Sequence, residues 1–114
     1  MASVYVNNLV INSGSDFSQT FTLEQSATNS LFDLTDYTVE SQLRKWAGSS
    51  TATDFDATIL DPKTSGQITL SLTFTQTSNL KPGRYVYDVV IENTDGLRNK
   101  VIEGMVLVTQ GVTR

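Results

Sequence analysis

The chain has 114 residues, no cysteine, no histidine and a formal net charge of −4, with eight Lys and Arg against twelve Asp and Glu. That length makes a single domain, residues 1–114, able to bury about two thirds of its unfolded surface. The composition excludes a disulfide frame, thiolate metal sites and Ser-His or Cys-His nucleophile pairs. It also argues against a membrane span, which needs ~20 consecutive apolar residues, and against nucleic acid, which needs a basic surface.

The start, Met1 to Tyr5, lacks the basic and apolar stretches of a secretory signal, so folding in a reducing cytoplasm is expected. Val4-Tyr5-Val6 and Leu9-Val10-Ile11 read as one strand kinked at Asn7-Asn8. Phe17, Gln19, Phe21 and Leu23 alternate with Ser18, Thr20, Thr22 and Glu24, the period of a half-buried second strand. Residues 25–30 are small and polar, a connection, and Leu31 to Asp36 is an anchored loop with Leu34 turned inward.

Tyr37 to Trp46 is predicted as a third strand. Its alternation puts Val39 and Leu43 on one side and Glu40, Gln42, Arg44 and Trp46 on the other. Residues 47–53 form a mobile surface loop. Phe55, Ala57 and Ile59 give a short fourth strand ended by Asp61-Pro62, and Thr64-Ser65-Gly66 turns the chain. Ile68, Leu70, Leu72 and Phe74 then alternate with polar neighbours as a fifth strand. Thr75 to Leu80 allows one helical turn.

Pro82-Gly83 is a turn pair, and residues 84–92 are rich in the β-branched and aromatic residues of a strand. Tyr85, Tyr87, Val89 and Ile91 form its core face. Asp95-Gly96 is a strong hairpin signal, and the return strand, roughly Asn99 to Thr109, is apolar on both parities. About seven antiparallel strands at this spacing predict an all-β, immunoglobulin-like β-sandwich. Within it, Leu80-x-Pro82-Gly83-x-Tyr85-x-Tyr87 fits a tyrosine corner, in which the Tyr85 hydroxyl returns to the preceding backbone.

Catalytic chemistry finds little support, and the expectation is a non-enzyme without cofactor or metal. The carboxylate pairs Asp54/Asp56 and Asp33/Asp36 lie in or beside loops, and no Gly-rich phosphate loop is present. Asp54-x-Asp56 and Asn93-x-Asp95-Gly96 offer hard oxygens for calcium, but neither completes an EF-hand spacing. Apolar residues on the water-facing parity are more informative. Val86 and Val90 fall there beside Trp46 and the stem of Arg44, with either Ile102/Val106/Val108 or Val101/Met105/Leu107 adding to them. Contiguous apolar area with Trp and Arg anchors marks a binding surface, so Arg44, Trp46, Val86 and Val90 are the candidate interface.

The motifs Leu9-Val10-Ile11-x-x-Gly14-x-Asp16-Phe17, Asp33-Leu34-Thr35-x-Tyr37-Thr38-Val39, Gly66-x-Ile68-x-Leu70-x-Leu72, Gly83-x-Tyr85-x-Tyr87-Asp88-Val89 and Glu103-Gly104-x-Val106-x-Val108 together resemble small structural proteins of tailed bacteriophages. Their order is similar to that in the immunoglobulin-like N-terminal domain of baseplate upper proteins, although Trp46 and the loop after it are outside the pattern. The resemblance implies a virion component in tail, baseplate, neck or capsid decoration, made in the host cytoplasm. It implies other virion proteins as partners and a homo-oligomeric state, trimers included. The alternative is a carbohydrate- or host-surface-binding module built on Trp46 and the loop at 47–54.

Overall fold

The computed structural model describes residues 5–23 and 32–112. The predicted strand residues Val4 and Glu24, the connection 25–30, Leu31, and the terminal Thr113 and Arg114 lie outside the described residues. Nine strands form among the described residues: β1 (Tyr5–Val6), β2 (Leu9–Asn12), β3 (Phe17–Thr22), β4 (Thr38–Arg44), β5 (Thr53–Asp54), β6 (Asp56–Ile59), β7 (Gln67–Leu72), β8 (Gly83–Glu92) and β9 (Arg98–Thr109). A short helix, α1 (Phe74–Ser78), links β7 to β8. One sheet runs β1-β9-β8-β4-β5 with β2 also on β9, and the other runs β3-β7-β6. The two sheets pack as a sandwich, and the sequential strands are distributed between them as in immunoglobulin-like domains.

The strand count exceeds seven for two physical reasons. The first predicted strand is broken at Asn7-Asn8, giving β1 and β2. The predicted fourth strand appears as β6, paired with β7, but Thr53 and Asp54 before it, expected in or beside the loop, pair with β4 as β5, and the chain changes sheets at Phe55. Nor are all the pairings antiparallel. β1 and β2 both run parallel to β9, with Tyr5 beside Ile102 and Leu9 beside Val106. The predicted third strand is also shorter than expected. It stops at Arg44, and Trp46 lies in a turn closed by the Ser49 amide on the Trp46 carbonyl at 2.9 Å.

Alternation places the core where the pattern expects it. Ile68, Leu70, Leu72, Val89 and Ile91 are buried against Leu9, Ile11, Leu34 and Leu43. Each fully buried aliphatic side chain contributes roughly 1.5–3 kcal/mol. Between the sheets the Phe17, Phe55 and Tyr87 rings form a tilted series, with centroids 6.0 Å and 6.1 Å apart.

Phe74 departs from the predicted pattern. It shares the parity of Ile68, Leu70 and Leu72, yet it is exposed and opens α1. Thr73 caps the helix, its hydroxyl accepting from the Gln76 amide while the Gln76 side chain accepts from the Thr73 amide. This reciprocal pair satisfies two helix-end donors and ends the strand before Phe74 can turn inward.

The return strand resolves its double parity through a β-bulge. The register shifts between Val89, opposite Ile102, and Val90, opposite Lys100, leaving Val101 as the extra residue. Val101 and Ile102 are therefore both buried, while Met105 and Leu107 face water. Of the two apolar sets that could have faced outward, the bulge assigns Met105 and Leu107, without Val101.

The Tyr85 hydroxyl donates to the Lys81 carbonyl at 2.7 Å across the corner before β8. Lys45 Nζ lies 4.8 Å from the Tyr85 ring centroid. Tyr85→Phe is expected to keep the fold and lose about 1 kcal/mol. For a domain of this size that is a melting-point drop of about 5 °C by circular dichroism; an unchanged melting point would mean that the corner bond adds nothing to stability.

Candidate docking face

The outward faces of the two sheets differ in chemistry. On the smaller sheet the outward positions carry Ser18, Thr20 and Thr22 on β3, matched across the register by Ser71, Thr69 and Gln67 on β7. Thr20 and Thr69 share a hydroxyl hydrogen bond at 2.9 Å. This is a solvated face of short polar side chains.

The larger sheet turns apolar side chains to water. Val6, Val10, Met105 and Leu107 are exposed, and the register sets Val10 beside Leu107 and Met105 beside Val86. Val86 and Val90 on β8 are half-buried between β9 and β4. An open groove of about 700 Å³ runs over this surface, with Val86, Val90, Met105, Arg44, Asp88 and Lys100 among its lining. β1 and β2 lie along the edge of β9 and do not cross the face.

Three of the four candidate interface residues thus meet in one groove: Arg44, Val86 and Val90. Trp46 is not among the lining residues. Its strand ends two residues earlier, and its indole is 61% exposed on the turn beyond. The loop after it, expected as a mobile surface loop, is tied back to β4 by hydrogen bonds. Arg44 donates to the Ser49 carbonyl, and the Thr51 amide reaches the Ser49 hydroxyl at 3.2 Å. Arg44 also donates to Gln42 Oε1 at 3.0 Å, and Gln42 Nε2 donates to Asp54 at 2.6 Å. This chain of bonds fixes the β4–β5 flank of the groove.

Charges divide the face along its length. At the hairpin end Arg98 is shared between Glu40 at 3.3 Å and Glu92 at 3.4 Å. In the middle Lys100 is shared between Glu103 at 3.2 Å and Asp88 at 4.0 Å. Exposed pairs of this kind contribute at most about 1 kcal/mol each to stability; their effect is on the pattern of charge presented outward. At the other end of β8, the Arg84 side chain has no ion-pair or hydrogen-bond partner among the described residues.

Of the carboxylates singled out from sequence, Asp54 and Asp56 pair in different sheets but line one open groove together with Glu40 and Gln42. Asp54 is engaged by Gln42 on one sheet, while Asp56 begins β6 on the other. Asp33 receives the Thr35 hydroxyl at 2.6 Å and the Thr35 amide at 2.9 Å, and these bonds hold its carboxyl below the usual range. The Asn93 side-chain oxygen accepts the Asp95 and Leu97 amides, so it closes the hairpin turn. Among the described residues no group of three acidic side chains is placed to hold a metal ion.

Beneath the face, the N-terminal segment is locked over Gly104. The Tyr87 hydroxyl donates to the Asn7 carbonyl at 2.5 Å, the Asn7 amide donates to Glu103 at 2.9 Å, and the Met105 amide donates to Asn8 Oδ1 at 3.0 Å. Burial pushes the Tyr87 hydroxyl up to about 12. Asn7 and Asn8 are legible in the sequence only as a kink; the Asn7 backbone and the Asn8 side-chain oxygen form the clamp that holds β1 and β2 in line with β9.

Neither a protein-family model nor a curated protein matches the chain. Among solved structures it is similar to the SrpA adhesin of Streptococcus sanguinis, with a TM-score of 0.55 and 10% identity, covering 96% of this chain and 57% of that one. It is also similar to murine CRIg, with a TM-score of 0.41 and 11% identity over 91% of this chain and 92% of that one. A Listeria monocytogenes internalin-like protein gives a TM-score of 0.43 and 18% identity over 95% and 28% of the two chains. The chain spans little more than half the adhesin's length, and at that identity the likeness shows the fold alone: a two-sheet β-sandwich.

Proposed function

We propose that this chain is a non-enzymatic docking module, a structural component of a virion as the sequence resemblance implies, acting through the outer face of its larger sheet. The observation that carries this reading is the contrast between the two outer faces. One is a grid of hydroxyls, and the other exposes Val6, Val10, Met105 and Leu107 around the half-buried Val86 and Val90. Apolar area of this kind, rimmed by charge, suits protein–protein contact. In a particle where many copies bind together, modest contacts are sufficient.

The test is incorporation. Val86→Asp places a charge on the groove floor without touching the inner core. Tagged Val86→Asp chain is expected to fold, by circular dichroism, and to fall about tenfold or more in the particle fraction of infected cells relative to the parent. Incorporation at the parental level would overturn the reading. The exposed Trp46 favours a second reading, a carbohydrate-binding surface on the pinned turn. As the single tryptophan, it would report glycan binding directly through a shift in its fluorescence.

A further inference from the structure

Resting on that docking reading, we propose that the partner on this face is a second copy of the same chain, packed in an antiparallel two-fold arrangement that sets Arg84 of one copy against Glu92 of the other. What points to a copy is the order of charge along the face. The register places Arg44 beside Val86 and Glu40 beside Val90 on β4, and Arg84 and Glu92 lie at opposite ends of the outward positions of β8. At one end, Arg44 and Arg84 are two cations without a carboxylate partner among the described residues. From the middle to the other end, the five acids Glu40, Asp54, Asp88, Glu92 and Glu103 share only two cations, Arg98 and Lys100, so three negative charges are left over, two in the middle and one at the far end. The face is therefore polarised along β8: two positive charges stand at one end, while the uncompensated negative charge is spread over the middle and the other end.

A face so polarised is self-complementary when the second copy is reversed. A two-fold axis across the strands at Asp88 brings Arg84 over the partner copy's Glu92 position and Val86 over its Val90 position. It also brings Arg44 over the Glu40 position on β4. Two pairs of charges and a pair of valines then match at once, each repeated by the symmetry. Asp88 and, level with it on β9, Glu103 meet their own counterparts at the centre, where each copy has its Lys100 ammonium 4.0 Å from Asp88 and 3.2 Å from Glu103. From Arg84 to Glu92 is about 27 Å, and four strands span about 19 Å. The flat area is thus about 500 Å² per copy, at the small end for specific interfaces. The dimer is expected to be weak, concentration-dependent and sensitive to salt, because exposed charges set its register.

Sedimentation of the full chain tests this with two charge reversals. Arg84→Glu alone and Glu92→Lys alone should each weaken dimerisation about tenfold or more. Mixed together, the two variants should form a heterodimer. The introduced glutamate of one copy then faces the introduced lysine of the other across one side of the axis, and the native Glu92 and Arg84 still face each other across the other side. A parent chain that stays monomeric at the highest reachable concentration would overturn the proposal, as would a trimer. An oligomer indifferent to both reversals would overturn the pairing. These failures are distinct from failure of the docking reading: a monomeric parent whose Val86→Asp variant still loses incorporation docks on another protein through the same face.

Discussion

Gly104→Ala is expected to detach the N-terminal strands and to lower stability by about 3 kcal/mol. A Cβ at Gly104 would stand 2.2 Å from the Asn7 carbonyl oxygen and 2.8 Å from its carbon. Both atoms are backbone, so no side chain can swing aside, and β1 must move. Overpacking of this sort costs roughly 1–3 kcal/mol. Moving the Asn7 carbonyl also leaves the Tyr87 hydroxyl without its acceptor at a buried site, worth roughly another 1–3 kcal/mol. Urea unfolding measures the sum, and hydrogen exchange should show the Asn7 amide losing protection. Tyr87→Phe made in the Gly104→Ala background should cost less than in the parent, because its hydrogen bond is already gone. There is a pH signature too. Tyr87 releases its proton near 10 when unfolded and near 12 when folded. The stability tied to the neutral hydroxyl is present below pH 10 and declines as pH rises through 12. That alkaline decline should be smaller in Gly104→Ala, because moving β1 opens to water the hydroxyl whose burial raises its pKa. A variant within about 0.5 kcal/mol of the parent would mean that β1 and β2 slide past Gly104 without cost.

Much of this architecture is legible in local pattern, and the rest fails for identifiable reasons. Ile68, Leu70 and Leu72 announce β7 because one wet and one dry face impose a period of two. Asp95-Gly96 announces the β8–β9 hairpin because the turn requires a left-handed residue, and Gly96 has φ of 81°. The parallel pairing of β1 and β2 with β9 has no local signature, since its partners are nearly a hundred residues apart in the chain. Phe55 reads as an ordinary strand residue because nothing in a period-two pattern says which sheet a strand joins on either side of a bend.

The candidate docking face is legible to the same extent. Parity alone sets Arg44, Val86 and Val90 together. Met105 cannot be chosen over Ile102 without the bulge at Val101, which inverts the parity halfway along β9. Trp46 is misplaced by parity because strand alternation extends two residues beyond the point where the Arg44–Ser49 contact turns the chain. The charge polarity emerges only once β4, β8 and β9 lie side by side, since Arg84 and Glu92 are on one strand but Arg44 and Glu40 are on its neighbour.

Thr77→Val is expected to cost about 2–3 kcal/mol, more than Thr77→Ser, although valine matches threonine in shape. Thr77 is fully buried. Its hydroxyl accepts the Gly14 amide at 3.0 Å and donates to the Ser15 carbonyl at 2.9 Å or the Phe74 carbonyl at 3.1 Å. Valine leaves the Gly14 amide and the Ser15 carbonyl without that partner, and stranded polar groups are what make such a change expensive. Serine keeps the hydroxyl and gives up one methyl, worth about 1 kcal/mol. The contrast matters because α1 has only five residues, too few to persist on helix propensity. It is held by the Thr73–Gln76 cap, by Asp16 accepting the Phe74 amide at 2.7 Å, and by Thr77. Through Thr77 the turn after β2 is joined to the helix that leads into the Lys81–Tyr85 corner, and so to the start of β8, where Arg84 stands. Thermal unfolding ranks the variants. If Thr77→Ser proves the more damaging, the methyl group carries the link, and the hydroxyl's placement at the junction of the two sheets is incidental to stability.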